Sequence, residues 1–378
     1  MTQQQTPVGI NNIKNDRLYI ALELSNSTWK IAFGNGYKVR MKSIMARDLE
    51  RFLAEIERAK RHFGMGEDVS LESCYEAGRD GFWIHRYLTR NGISNRVVDS
   101  SSIEVNRRYR RAKTDRIDAG KLLSMLIRYI NGEVKLWSVL HIPDEQEEDD
   151  RRLNREAERL KKECTAHTNR IKSLLVLHGI TLPIRKTFKA DLEWVRRWNG
   201  KELPQGIKAE ILREYRRYLL AKEHLAELEK SKEEILRKAG DCGQQVEMLQ
   251  KLKGIGPVSS WILVFEFFGW RRFKNVKEVG AAAGLVPMPY ASGGMVREQG
   301  ISKSGNRRIR SVMVELGWYW LRYQGRSNLS LWFQERFGQG SKRMRRVGIV
   351  ALARKLLIAL WKYLERGIMP EGAILKAG

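Results

Sequence analysis

Cysteine is nearly absent from this 378-residue chain: Cys74, Cys164 and Cys242 are odd in number and far apart. That excludes a disulfide framework and a zinc site, which needs four clustered ligands. Such usage fits a reducing cytoplasm. Histidine is also scarce, and none follows His224, so residues 225–378 contain no Ser-His-Asp triad of their own. Long apolar runs are missing. The first 15 residues are polar and lack the apolar core of a signal peptide. The most apolar late segment, 347–361, is broken by Arg354 and Lys355 and is too short and charged to span a bilayer. These absences predict a soluble, cytoplasmic protein with no membrane partner. No low-complexity tract and no repeat of solenoid period is present.

Acidic residues are in deficit. Seventy Lys and Arg oppose 44 Asp and Glu, a net charge of +26. A protein this basic binds polyanions unless something prevents it. The imbalance is strong in residues 241–378, which hold 23 Lys or Arg against 9 Asp or Glu.

Short apolar runs at 18–23 and 29–33 predict strands, and Gly34-Asn35-Gly36 marks a turn, so the early strands form a hairpin-linked set. Leu49, Phe52, Leu53, Ile56 and Ala59 recur at helical spacing. Residues 70–76 and 96–98 read as further strands, and 81–89 and 115–130 as helices. Strands followed by alternating strand and helix imply an α/β or α+β domain around a central sheet. Pro143 and the acidic run 144–150 mark a boundary and suit a helix N-terminus. Beyond it, Leu153, Ala157, Leu160, Cys164, His167 and Ile171 step by four and three, and a second apolar series runs from Tyr218 to Ile235. Two long helices broken around 179–206 predict an antiparallel hairpin or dimerisation arm, with His167 packed on its seam. From 243 onward, short helices with glycine-rich connections are expected. The expected class is α/β plus all-α. Its divisions are an N-terminal sheet domain (16–142), a coiled-coil-like helical connector (143–240) and a helical C-terminal domain (241–366).

Four acids stand in a suggestive order. Glu23 ends the first strand and Glu76 a later one. Asp115 and Asp118 are three apart at a helix start and so share a face. An acid on the first strand, one on a neighbouring strand and a final pair on a helix is the arrangement of RNase H-like nuclease folds. There, oxygen ligands hold two hard cations, Mg²⁺ or Mn²⁺, about 4 Å apart for in-line phosphoryl displacement. Taken singly, each acid also fits a structural role: Asp115 follows Thr114, a good N-cap. Arg107, Arg108, Arg110, Arg111 and Lys113 lie just before the pair and would hold a phosphate beside such a metal site.

In the C-terminal part, Lys253-Gly254-Ile255-Gly256-Pro257 matches a helix-hairpin-helix turn, whose glycines let backbone amides approach a phosphate. Ser292 sits in a glycine-rich loop ahead of Arg297, Lys303, Arg307, Arg308 and Arg310. A bare serine is a poor nucleophile and needs a base or a metal. Lys342, Arg343, Arg345 and Arg346 form a dense cationic patch before the last helix. Trp318, Tyr319 and Trp320 could stack on bases, but their place in a helix predicts core packing for at least two of them.

Tyr75-Glu76-Ala77-Gly78, Lys113-Thr114-Asp115-Arg116-Ile117-Asp118, Gly254-Ile255-Gly256-Pro257, Gly284-Leu285-Val286-Pro287 leading to Ser292-Gly293, and Gly300-Ile301-Ser302-Lys303-Ser304-Gly305-Asn306 together resemble the DEDD-type insertion-sequence transposases. These are the "one-ten" group, relatives of the pilin-gene invertases. The resemblance runs from about residue 18 to 364. It implies a RuvC-like N-terminal domain, a helical connector and a transposase domain. It implies divalent metal at Glu23, Glu76, Asp115 and Asp118, with Ser292 forming a transient phosphoserine link to DNA. It also implies a structured guide RNA and a homo-oligomer, dimer or tetramer, acting on DNA at the nucleoid. Glu23 departs from the pattern, since the family name implies Asp there; Asp16 and Asp99 are the fallback acids. The alternatives are a junction-resolving metal nuclease, in which Ser292 is only a turn residue, and an inactive nucleic-acid-binding relative.

Overall fold

The computed structural model describes residues 17–103, 115–292 and 295–376; side chains are described for all of these except residues 101, 115–117, 288–292 and 295–299. The chain divides into two compact units, Met1–Ile142 and Pro143–Gly378.

The first unit is built on a five-stranded sheet of order β3-β2-β1-β4-β5. Its strands are β1 (Arg17–Leu24), β2 (Thr28–Gly34), β3 (Val39–Met45), β4 (Ser70–Glu76) and β5 (Ser94–Val98). β1 pairs antiparallel with β2 and parallel with β4; β2 pairs antiparallel with β3, and β4 parallel with β5. β1 is central and buried on both faces, which explains its unbroken apolar run. Leu18, Ile20 and Leu22 face a core shared with α1 (Leu49–Phe63) and α2 (Trp83–Arg90). Tyr19 and Ala21 face the other way, onto α3 (Asp115–Ile130), whose Ala119, Leu122 and Leu126 complete a second core. Gly34 makes that contact close: a Cβ there would stand 3.1 Å from Leu123 Cδ2. β3 was not foreseen. It is an edge strand whose Arg40 and Lys42 hide the apolar alternation, and Arg40 turns inward to the buried Glu55 of α1, 2.6 Å away.

The second unit begins with α4 (Glu145–Val176), opened by a capping box between Asp144 and Glu147. After the short α5 (Phe188–Trp194), α6 (Gln205–Lys238) returns antiparallel to α4, as the pairs His167–Glu214 and Arg170–Glu210 require. The predicted hairpin is therefore present. His167 differs from its expected role: its Nδ1 lies 2.6 Å from Glu214 Oε2, a polar pair and not apolar packing. A small core of Ile171, Leu175, Phe188, Leu192, Ile211 and Tyr215 closes the far end of the arm.

The remainder is α7 (Gly240–Lys251), α8 (Pro257–Leu263), a π-helical turn (Val264–Phe268), α9 (Val276–Ala282), the hairpin β6 (Pro287–Ser292) and β7 (Met295–Ile301), α10 (Arg307–Tyr323), α11 (Asn328–Phe333), a second π-turn (Gln334–Gly338) and α12 (Lys342–Arg366). α10 and α12 are long, exceptions to the expected run of mostly short helices. Leu263, Phe267, Met313, Trp320, Leu356 and Leu360 anchor their shared core; cutting an aromatic such as Phe267 back to Ala there costs about 3–5 kcal/mol. Among the described residues no helix is long and apolar enough to cross a membrane.

Candidate functional site

In the N-terminal unit the parallel register pairs Leu22 with Tyr75, so the next positions along the two strands are Glu23 and Glu76. Side chains alternate along a strand, so both acids share the face of Ala21 and Cys74, the face that α3 covers. Neighbouring strands lie about 4.8 Å apart, which sets two carboxylate stems side by side at the strand ends. Glu23 is half-buried and Glu76 exposed. Asp118 is half-buried on α3, one turn before Leu122, whose carbonyl lies 3.8 Å from Cys74 Sγ. Asp115 is the first residue of α3. Its side chain lies outside the described residues, as do Asp16, Arg107, Arg108, Arg110, Arg111 and Lys113.

Oxygen-only donors suit a hard divalent cation, so the residues at these strand ends fit one in kind. Among the described residues no three His, Cys, Asp or Glu side chains gather as a metal-holding group. Asp99 is half-buried at the end of β5, with its amide bonded to the Ser138 carbonyl. Asp80, not singled out from the sequence, lies in the loop after Glu76; its side chain is 8% exposed and pairs with Arg47 and Arg79. The thiols offer no competing nucleophile. Burial pushes Cys74, Cys164 and Cys242 all above the ordinary thiol value.

In the C-terminal unit the turn 252–256 joins α7 to α8. Gly254 has φ +95°, and a Cβ there would stand 3.3 Å from that of Tyr323. Gly256 is the N-cap of α8 and Pro257 fills its first turn. The turn is held from behind. Lys253 donates its amide to Ile374 O and accepts at its carbonyl from Gln324 Nε2, while Lys376 Nζ donates to Ile255 O at 2.9 Å. The Lys253 side chain is exposed. The amides of Gly254 and Gly256 have no hydrogen-bond acceptor among the described residues.

Ser292 is not in an irregular loop. It is the last residue of β6 and pairs with Met295; residues 293–294 and the side chains of Ser292 and Arg297 lie outside the described residues. Two glycines seat the hairpin's base. A Cβ on Gly284 (φ +65°) would lie 2.0 Å from the Ser304 carbonyl, and one on Gly305 (φ +102°) 2.5 Å from the Ala282 carbonyl. That closeness lets Lys303 donate to Gly284 O and Asn306 to Ala282 O. Asn306 then caps α10 through Oδ1.

The cations that follow divide into two kinds. Lys303 and Arg307 are exposed. Arg308 instead turns inward: its Nε donates to Glu158 Oε2 at 2.8 Å, and its Nη1 lies 3.7 Å from Glu266. Arg310 donates to the Ala283 carbonyl, and burial, aided by Arg307, pulls its pKa down. Glu266 is 1% exposed inside the π-turn and is gripped by Arg155 Nε and Nη2 at 2.7 and 2.8 Å. A lone carboxylate inside the run Val264-Phe265-Glu266-Phe267-Phe268 was the sequence signal for this bolt from α4 to α10. Lys342, Arg343, Arg345 and Arg346 are all exposed on the first turns of α12, where the helix dipole adds to their charge. Of the aromatic trio, only Trp320 is buried, with Nε1 donating to Ser327 Oγ; Trp318 and Tyr319 are 42% and 40% exposed, so core packing claims one ring and not two.

The chain is similar in sequence to known proteins. Residues 246–330, which span the turn, the hairpin and α10, match the model of the transposase IS116/IS110/IS902 family. A putative transposase, y4rJ, of Sinorhizobium fredii is 40% identical over 375 residues, 95% of this chain and 94% of its own length. The transposase for insertion sequence element IS1328 of Yersinia enterocolitica is 27% identical over 57% of this chain and 62% of its own. The transposase for insertion sequence element IS1111A of Coxiella burnetii is 24% identical over 79% and 78%.

Proposed function

The chain belongs to the IS116/IS110/IS902 family of transposases, enzymes that cut and transfer DNA strands, and we propose that it does so with a carboxylate set in the N-terminal unit and Ser292 in the C-terminal one. The observation that carries this reading is the adjacency of Glu23 and Glu76 on parallel strands under α3. The strand order β3-β2-β1-β4-β5 supports the RuvC-like assignment of residues 16–142. The helical arm and the remainder serve as connector (143–240) and transposase domain (241–366).

Glu23, Glu76, Asp115 and Asp118 would hold the divalent metal, Mg²⁺ or Mn²⁺, which supplies Lewis-acid stabilisation to the phosphoryl oxygens when bound. Ser292 Oγ attacks a phosphodiester and becomes esterified to the DNA end, while the leaving 3′ or 5′ oxygen takes up a proton. Attack by the freed hydroxyl of another strand reverses the step and restores the serine, so no net hydrolysis occurs. Glu23 carries one methylene more than the Asp of the family pattern, so a metal held there would sit farther from the strand. The α7–α8 turn reads as a helix-hairpin-helix that grips backbone phosphate without reading sequence. Lys303, Arg307, Lys342, Arg343, Arg345 and Arg346 hold further phosphates, of DNA or of a structured guide RNA, and a homo-oligomer brings the half-sites together.

The test is a trapping experiment on end-labelled element DNA with RNA transcribed from the flanking sequence. A denaturation-resistant protein–DNA adduct that requires divalent metal and disappears in Ser292→Ala is expected. Cleavage unaffected by Ser292→Ala would replace this reading with a metal nuclease. No metal-dependent cleavage under any condition would leave a binding protein.

A further inference from the structure

We propose that the free end of the α4–α6 arm is a docking site for single-stranded DNA, with Trp194 and Trp198 as the rings on which unpaired bases stack. Trp194 and Trp198 are 81% and 80% exposed, whereas the next most exposed tryptophan, Trp318, reaches 42%. Their exposure follows from the local structure. On α5, Phe188 and Leu192 lie one turn apart and enter the arm's small core. Trp194 comes two residues after Leu192, about 200° round the helix, and therefore points away from that core. Trp198 sits in a tight turn that is firmly held. Arg197 N donates to Lys201 O at 2.8 Å, Gly200 takes φ +75°, and Trp198 N donates to His178 O. Gly179 (φ +73°) packs directly beneath it, so that a Cβ there would lie 3.3 Å from the Trp198 Cβ. Both indoles are thus presented on a fixed frame, which lowers the ordering cost of binding.

The charge around them selects the occupant. Glu193 pairs with Lys208, Glu202 with Arg196, and Asp191 accepts from Thr187, so the acids of this tip already have partners. Arg185, Lys186, Lys189, Arg197 and Lys201 pair with no carboxylate among the described residues, and the Nε of Arg197 is buried without a hydrogen-bond partner. Two bare aromatic faces among unpaired cations make the surface that binds single strands: cations follow the phosphates while rings take the bases. A second copy of this tip would carry the same positive charge and be repelled. Duplex DNA offers phosphates but hides its base faces, so it would use the cations and not the rings. An enzyme that cuts and transfers strands meets DNA whose bases have lost their partners. The proposal needs only that partner, and not the serine chemistry proposed above.

The test uses the full chain, a fluorescent single strand of about 20 nucleotides, its duplex and the RNA of the same sequence, with binding read by anisotropy. Trp194→Ala/Trp198→Ala is expected to weaken single-strand binding by at least about ten-fold while changing duplex binding less than about two-fold. Trp194→Phe/Trp198→Phe should restore most of the loss, because a ring remains. Both rings are exposed, so the thermal midpoint should not move. Equal losses on single strand and duplex, or no loss on either, would overturn the proposal. So would a ring-dependent preference for RNA over DNA. A fall in sedimenting mass in the Ala variant would also overturn it, by making the tip a contact between copies. Cleavage by the Ser292 route is absent from every readout, so failure here leaves that reading untouched.

Discussion

In the N-terminal unit Glu23 and Glu76 stand at the ends of strands whose preceding residues form the core, with Asp115 and Asp118 on α3: Ala21 lies two places before Glu23, and Cys74 two before Glu76, both fully buried. In the C-terminal unit Ser292 stands on a two-stranded hairpin joined to the helical body through its base. The first arrangement fixes its acids through the same contacts that fold the sheet. The second separates Ser292, the proposed nucleophile, from the core and entrusts its position to close backbone approaches at Gly284 and Gly305 and to the Arg155–Glu266–Arg308 bolt. A rigid place suits ligands that must hold spacing. A projecting place suits a group that must reach a phosphodiester and be carried with it.

The largest effects should separate the two regions cleanly. Asp118→Asn should lower metal-dependent strand cleavage by about 10³-fold or more, the scale of losing several kcal/mol of charge stabilisation. Ser292→Ala should remove the covalent adduct altogether, and gel analysis of denatured reactions reads both. If Asp118→Asn left cleavage intact, the strand-end centre would have no catalytic part and the comparison would collapse.

Next in size is Gly284→Ala. Its positive φ and the approach of the Ser304 carbonyl predict a loss of about 3 kcal/mol or more in urea unfolding. The same substitution at Gly36, which has positive φ but open space around it, should cost only about 1 kcal/mol. Similar losses at the two sites would mean that close approach does not seat the hairpin. Glu266→Gln keeps the shape of the side chain and removes its charge. Denaturant unfolding should show a loss of about 2 kcal/mol, with adduct formation falling in parallel because α10 is no longer tied to α4. A variant as stable as the parent would remove the bolt from the picture.

The smallest effect lies on the arm. The His167 hydrogen bond, with Arg217 beside it, holds the Glu214 carboxyl below its ordinary value. A depressed folded-state pKa stabilises the protein above the unfolded value and loses that stability as pH falls through the folded one. Glu214→Gln should therefore cost under about 1 kcal/mol near neutral pH, since the pair is partly exposed. The difference should vanish in acid below the ordinary carboxylate range. A difference that persisted there would assign the loss to packing.

The sequence was most readable where one physical signal dominated. β1 and β4 declared themselves by apolar runs ending in an acid, α3 by its start at Asp115, and the α4–α6 arm by its stepped apolar series. β3 escaped notice because Arg40 and Lys42 break its apolar alternation, and the buried partner that draws Arg40 inward, Glu55, lies 15 positions away. The Ser292 segment was mistaken for a loop because Gly293-Gly294 advertises flexibility, whereas its flanks pair as strands. His167 stood on an apolar seam whose partner, Glu214, lies 47 positions away, and local spacing carries no sign of such a pair. Trp194 and Trp198 belonged to a count of eleven tryptophans that composition could not sort into core and surface.

The clasp behind the 252–256 turn has a consequence in time. Lys376 reaches back 121 positions to the Ile255 carbonyl. During synthesis the turn leaves the ribosome long before the segment that braces it. Until residues 374–376 arrive, Lys253 lacks its partner at Ile374 and Leu252 its bridge to Leu375. A nascent chain therefore holds its 252–256 turn without this brace, and the turn gains its final rigidity only once residues 374–376 have been made and packed.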